Sequence, residues 1–312
     1  MAIKSKDLIS LQDLSLDEIN QILTNAKSMK EIIQRDIKKV PTLRGKAIVN
    51  LFYENSTRTR SSFELAGKYM GADVINITAS ASSVVKGESL WDTGKTINSM
   101  GVDVVVIRHP SSGAPYILGQ AVEARVINAG DGTHEHPTQG LLDIFTVLDY
   151  KGALQGKKVA IIGDILHSRV ARSDIIGFNA LGADCWVCGP PTLLPAKVNE
   201  LGVKVTWNIE EALTDADVVI MLRIQLERQK KGAFPSIREY AKLYGLNSKN
   251  LSLAKKDALV MHPGPINRGV EISADVADSL QSVINEQVQN GVAIRMALLY
   301  LMMGGGNVNV IA

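Results

Sequence analysis

No run of five or more basic residues occurs anywhere in the 312-residue chain, whose net charge is only +2 at a pI near 8.4. The electrostatic footprint of a nucleic-acid binder is therefore missing, and any anion site has to be built locally. Long apolar runs are missing too. No stretch approaches the ~18 residues that cross a bilayer, and Lys4 and Lys6 lead into no apolar targeting segment. These absences give the expectation of a cytoplasmic protein with neither membrane nor nucleic-acid partners. Low complexity is absent as well: 26 glycines and ten prolines are scattered through a chain that is 46% hydrophobic and 21% charged, a globular profile.

Cysteine is scarce, and the two that occur, Cys185 and Cys188, form a C-x-x-C. Beside a βαβ pattern such spacing can mark a redox site or half of a zinc site. The surrounding Ala183-Asp184-Cys185-Trp186-Val187-Cys188 reads instead as a strand, where residues three apart face opposite sides roughly 10 Å from one another. A disulfide is then excluded, and a structural zinc would need two further ligands that the sequence does not place.

The length suits two domains of about 150 residues each, with a cleft between them. Ser15 and Glu18 form a capping box ahead of Leu16, Ile19, Leu23, Ala26 and Ile33, which follow a helical period. Apolar runs then alternate with helical patterns: strand at 46–52, helix at 61–70 ended by Gly71, strand at 74–77, strand at 102–108, helix at 114–121, strand at 125–128 and helix at 138–150. Residues 151–156 carry two glycines and no periodicity, the best candidate for a domain joint. Strands resume at 158–163, 183–187, 203–207, 217–222 and 258–261, and a long amphipathic pattern over 280–303 is read as returning to the first domain. The expected fold class is α/β, two domains (1–150 and 151–284, with a returning helix at about 285–303), each a mainly parallel sheet with helices on both faces.

In such sheets ligands bind beyond the carboxyl ends of the strands. The richest loop there is Glu54-Asn55-Ser56-Thr57-Arg58-Thr59-Arg60, where hydroxyls, backbone N–H groups and a helix start converge as a phosphate requires. No G-x-x-x-x-G-K-[ST] and no G-x-G-x-x-G follows a strand, which disfavours nucleotides. The residues alone leave open a polar helix cap with Arg58 and Arg60 solvated. Asp131, His134 and His136 likewise leave open half of a metal site, short of the ligands a zinc-like site needs.

Ser-Thr-Arg-Thr-Arg after a strand resembles the carbamoyl phosphate signature of the aspartate and ornithine carbamoyltransferases. Three further motifs occur in that family's order: Arg108-His109-Pro110, His136-Pro137-Thr138-Gln139 and His262-Pro263-Gly264-Pro265. The resemblance covers nearly the whole chain. It implies that Ser56, Thr57, Arg58 and Thr59 hold the phosphate, that Thr59, Arg108 and His136 face the carbamoyl carbonyl, and that Gln139 holds the carbamoyl NH2. Arg58, Thr59, Lys86, Arg108 and His136 are then the catalytic set, with no metal and no organic cofactor.

For the acceptor, the matching residues are Arg169, Arg223, Gln225, Gly264 and Pro265, together with Lys86. Two forked arginines suit the two carboxylates of aspartate, whereas ornithine needs an acidic partner for its side-chain ammonium. The His-Cys-Leu-Pro of ornithine enzymes is also lacking. Arg223 retains a plainer alternative, an ion pair with Glu227 four residues on. Two positions differ from some relatives, Gly264 where they have Leu and Leu166 where they have Lys.

Ser82 and Lys86 match the family loop that reaches into a neighbouring subunit. Without the match, this Ser-rich stretch reads as a surface loop. The resemblance thus implies carbamoyl transfer from carbamoyl phosphate to L-aspartate on the route to pyrimidines, in a homotrimer with shared active sites, and it leaves open a larger assembly with regulatory or dihydroorotase chains. Transfer to ornithine or another amine, and a non-catalytic metabolite-binding role, are the competing functions.

Overall fold

Helix α1 (Leu16–Ile33) opens with the capping box: Ser15 Oγ accepts from Glu18 N–H, while the Glu18 carboxylate takes Ser15 N–H. The computed structural model describes residues 3–78, 87–225 and 236–304. Ser82, Lys86 and Glu227 lie outside the described residues. The chain contacts group into two compact units, 1–142 with 288–312, and 143–287.

In the first unit α1 is followed by β1 (Ala47–Phe52), α2 (Thr57–Tyr69), β2 (Asp73–Thr78), α3 (Leu90–Ser99), β3 (Val104–His109), α4 (Ala114–Ala121), β4 (Arg125–Asp131) and the start of α5 (Pro137–Lys151). The four strands form one parallel sheet in the order β2-β1-β3-β4. Val49, Leu51, Val105, Ile107 and Val126 point to one face, where they pack with Ile97 of α3 and Leu118 of α4. On the other face lies α2, brought close by Gly67: a Cβ there would stand 2.6 Å from Val74 Cγ2 and 3.0 Å from Ile48 Cδ1. Both faces of β1 and β3 are thus covered, which is why their sequences are nearly continuous Val, Ile and Leu.

The second unit contains β5 (Lys158–Ile162), α6 (Arg169–Ala180), β6 (Asp184–Cys188), β7 (Lys204–Thr206), α7 (Ile209–Leu213), β8 (Val218–Met221), α8 (Ile237–Tyr244), α9 (Ser248–Leu251), β9 (Leu259–Met261) and α10 (Ala274–Ala277). Its strands are also all parallel, in the order β7-β6-β5-β8-β9. Cys188 belongs to the core cluster with Ile162, Met221 and Val260, while Cys185 faces the other side, toward Asp174 of α6. Both thiols are free and buried. Burial first, and neighbouring carboxyls second, push each up to about 12, so neither forms a reactive thiolate.

The last helix, α11 (Ile284–Met302), carries the chain from Gln287 of the second unit to Val288 of the first. In the grouping of contacts the earlier crossing falls between Leu142 and Asp143, inside α5. The helix runs on to Lys151 and stops at Gly152, whose φ of +71 is the left-handed conformation that ends helices. One helix that the sequence reading did not assign is α3, which buries Thr93, Gly94 and Ile97.

Candidate active site

The order β2-β1-β3-β4 reverses direction between β1 and β3, so the loops leaving those strands diverge and open a crevice at their carboxyl ends. Ser56 stands there as the N-cap of α2, with extended backbone (φ −155, ψ 94) and no side-chain capping bond. Thr57, Arg58 and Thr59 are the first three residues of the helix, so α2 begins earlier than the 61–70 expected from the sequence. The candidate phosphate residues therefore form a helix start rather than a free loop. The leading N–H groups of a helix lack intrahelical acceptors and carry its positive end, which makes an anion site. Thr57 and Arg58 are exposed, Ser56 is half-buried and Thr59 is buried.

Arg108 ends the pairing of β3 with β1, opposite Phe52. Its Nη1 donates to Ala129 O at 3.3 Å. Its Nε lies 3.3 Å from Glu54 Oε2, an ion pair by distance rather than an aligned hydrogen bond. Glu54 sits in the loop before α2, so the two loops of the switch point are bridged by opposite charges. Sequence reasoning placed Glu54 in this loop and gave it no role of its own.

His136 is buried at the start of α5, where its carbonyl accepts from Gln139 N at 2.9 Å and Gly140 N at 3.2 Å. Its Nδ1 is 3.5 Å from Thr138 Oγ1, which in turn lies 3.4 Å from Arg295 Nη2. Gln139 is also buried. The loop leading to them is fixed by Asp131, which accepts from Gly113 N at 2.7 Å, Asn128 Nδ2 at 2.8 Å and Glu135 N at 3.2 Å, with His134 Nδ1 at 3.1 Å. Burial would raise the Asp131 carboxyl, but the bonds from His134, Gly113 and Asn128 outweigh it and hold it below the usual carboxylate range. Among the described residues no three His, Cys, Asp or Glu side chains are gathered as a metal ion would need. The carboxyl ends of β1, β3 and β4 thus carry Ser56 to Thr59, Arg108, His136 and Gln139 along one edge.

In the second unit the strand order reverses between β5 and β8. Arg169, buried, is the first residue of α6 after β5, and its N-cap Ser168 accepts from Ala171 N at 3.1 Å. The intervening loop is held by Asp164, which accepts His167 N at 3.1 Å and lies 2.9 Å from His167 Nδ1. Leu166 is exposed. Arg223 and Gln225, both partly buried, follow β8, and Gly264 and Pro265 follow β9. Ile224 N, between Arg223 and Gln225, donates to Glu271 Oε1 at 3.0 Å. Glu271 was missed by sequence reasoning, and nothing local in its surroundings signals it.

Residues 6–149 match the family model described as the carbamoyl-P binding domain of aspartate/ornithine carbamoyltransferase. Residues 155–302 match the Asp/Orn binding domain of the same family. The chain is 64% identical over 305 residues to the aspartate carbamoyltransferase catalytic subunit of Heliobacterium modesticaldum, covering 98% of each chain. To that of Ruminiclostridium cellulolyticum it is 62% identical over 309 residues, covering 99% of each. Among solved structures it is similar to ornithine carbamoyltransferase from Pyrococcus furiosus (TM-score 0.87, 31% identity, 98% of this chain and 100% of that one). It is equally similar to aspartate transcarbamoylase from Trypanosoma cruzi in complex with N-(phosphonacetyl)-L-aspartic acid (TM-score 0.87, 32% identity, 96% of both chains). Two matched domains in sequence, carried on two parallel sheets with candidate residues at both switch points, establish that this chain belongs to the aspartate/ornithine carbamoyltransferase family.

Proposed function

We propose that this chain transfers the carbamoyl group of carbamoyl phosphate to the amino group of L-aspartate, giving N-carbamoyl-L-aspartate and phosphate for pyrimidine synthesis. The observation that carries the choice of acceptor is the pair Arg169 and Arg223 beyond the adjacent strands β5 and β8. Forked guanidinium groups match the two carboxylates of aspartate. Ornithine would need an acidic group for its side-chain ammonium, and among the described residues of these loops Glu271 already accepts from three N–H groups and Asp164 is bonded to His167. Close relatives named as aspartate carbamoyltransferases support the same choice.

On this reading Ser56, Thr57, Arg58 and Thr59 bind the phosphate at the start of α2, and Gln139 holds the carbamoyl NH2. The deprotonated amine of aspartate attacks the carbonyl carbon, and negative charge grows on the carbonyl oxygen. Thr59, Arg108 and His136 face that oxygen, and fixed donors of this kind are each worth ~3 kcal/mol of barrier. The C–O bond to phosphate then breaks, the α2 start neutralises the leaving group, and the departing phosphate takes the amine proton. Gln225, Gly264 and Pro265 complete the aspartate site, with Gly264 offering its carbonyl to the amino group. Ser82 and Lys86 are assigned to the site of a neighbouring subunit in a homotrimer.

Phosphate release from carbamoyl phosphate, with aspartate and ornithine supplied in parallel, tests the reading. Aspartate-dependent release is expected. Release with ornithine alone would reassign the acceptor, and release with neither would leave a binding protein.

A further inference from the structure

We infer that Glu271 is a positioning residue for the acceptor half of the reaction, tying the Arg223–Gln225 loop to the Gly264–Pro265 loop through one enclosed carboxylate; this rests on the function proposed above. Glu271 has no solvent exposure, and it follows β9 in the segment before α10. Its Oε1 accepts from Ile224 N at 3.0 Å and from Asn267 Nδ2 at 2.7 Å, and its Oε2 accepts from Asn267 N at 2.7 Å. Enclosing a carboxylate is costly unless its lone pairs are matched, so three donors converging here specify one arrangement of the loops that bring them.

The Ile224 N–H belongs to the peptide that joins Arg223 to Ile224. Fixing it fixes the plane from which the Arg223 side chain departs and, one residue on, that of Gln225. On the other side Asn267 stands two residues beyond Pro265, with both its backbone and its side chain on the same carboxylate. His262 extends the arrangement. Its Nδ1 accepts from Gly264 N at 2.8 Å, so in the neutral ring Nε2 carries the proton, and that atom lies 3.9 Å from Glu271 Oε2.

A third loop joins through Tyr240 of α8, which is buried against Gly163: a Cβ on that glycine, whose φ is +134, would be 3.1 Å from the Tyr240 hydroxyl. Burial first, then Glu271 and Asp164, hold this phenol well above its ordinary range, so it stays protonated. The backbone of Glu271 is anchored as well, its carbonyl accepting from Leu246 N at 2.8 Å. One acidic side chain therefore sets the loops after β8 and β9 in register, next to the loop after β5.

Glu271→Gln separates positioning from simple stability. Its oxygen can still accept from Ile224 and Asn267 Nδ2, but its amide then opposes the Asn267 N–H, donor against donor. With the full chain in its native assembly, the KM for aspartate is expected to rise about tenfold or more, because a small misplacement of a binding fork loses acceptor binding. The KM for carbamoyl phosphate should stay within about twofold, since its proposed binding residues belong to other loops. Asn267→Ala, at an exposed position, removes one donor and should raise the aspartate KM about threefold, and it keeps the test alive if Glu271→Gln fails to fold.

An unchanged aspartate KM in the folded Glu271→Gln chain, or in Asn267→Ala where the first does not fold, overturns the inference. So does an equal loss for both substrates accompanied by a lower Tm, the mark of a merely structural role. Wild-type chain assayed in parallel separates the two levels. If it does not use aspartate at all, the proposed function is what has failed.

Discussion

Arg108 Nε and Glu54 Oε2 stand 3.3 Å apart, joining the end of β3 to the loop that follows β1. The pair is partly open to solvent, so its direct contribution to stability is small, and its value lies in aiming the arginine. Arg108→Ala is expected to lower turnover by ~100-fold or more while the chain folds normally, because the guanidinium faces charge that develops in the reaction. Glu54→Gln should lower it by about tenfold, through loss of aim alone. Steady-state kinetics with circular dichroism decides: an Arg108→Ala chain that is folded and fully active would remove Arg108 from the site.

N-(phosphonacetyl)-L-aspartate, the molecule in the Trypanosoma cruzi relative's complex, should bind this chain far more tightly than aspartate does. A single ligand spanning both half-sites avoids the entropy cost of assembling two. The proposed reaction requires the residues of the two units to serve one pair of substrates, and titration calorimetry tests that requirement. Affinity no better than that of aspartate would mean that they do not.

Asp174 of α6 is fully enclosed and faces Asp143 of α5, whose Oδ1 accepts from Gln287 Nε2 at 2.6 Å. Burial, and then the Asp143 carboxyl, raise Asp174 well above its ordinary value of 3.8. The unfolded chain gives up that proton near 3.8 whereas the folded chain keeps it to higher pH, so this group's contribution to stability is greatest in acid and declines as pH rises toward the folded value. Asp174→Asn, whose amide can donate to Asp143, should melt higher than the wild type at about pH 8, and the advantage should shrink toward about pH 4. Each kcal/mol gained corresponds to about 2 °C or less in a 312-residue chain, because the shift shrinks as the unfolding entropy grows with length. Melting curves that differ equally at both pH values would show that the two carboxyls do not share a proton.

Lys86→Ala and Arg108→Ala chains should each be nearly inactive alone yet recover activity when unfolded together and reassembled. In a closed ring with heterologous contacts, half of the sites have an intact Arg108, and half of those meet an intact Lys86 from the neighbour, so roughly one quarter revive. Mass measurement confirms that mixed oligomers formed. A mixture no more active than the separate mutants would place Lys86 within its own chain.

The sequence by itself determined what is contiguous. β-branched runs separated by amphipathic segments specify buried parallel strands, and both parallel sheets appear with strand bounds shifted by only a few residues. That Ser56 to Thr59 lie beside a helix start was legible because they are adjacent in the chain, although the helix proved to begin at Thr57, with Ser56 as its extended cap. Cys185 and Cys188 were legible for the same reason, since the two-residue period of one strand already puts them on opposite faces. Tertiary structure alone decided which charges meet across distance in the chain. Glu271 reaches a backbone N–H 47 positions away, and Asp174 meets an aspartate from another helix. Glu54, close in sequence to two other arginines, also pairs with Arg108 from the neighbouring strand. An enclosed carboxylate is defined by the donors that converge on it, and those donors converge only once the loops at the sheet ends have been folded together.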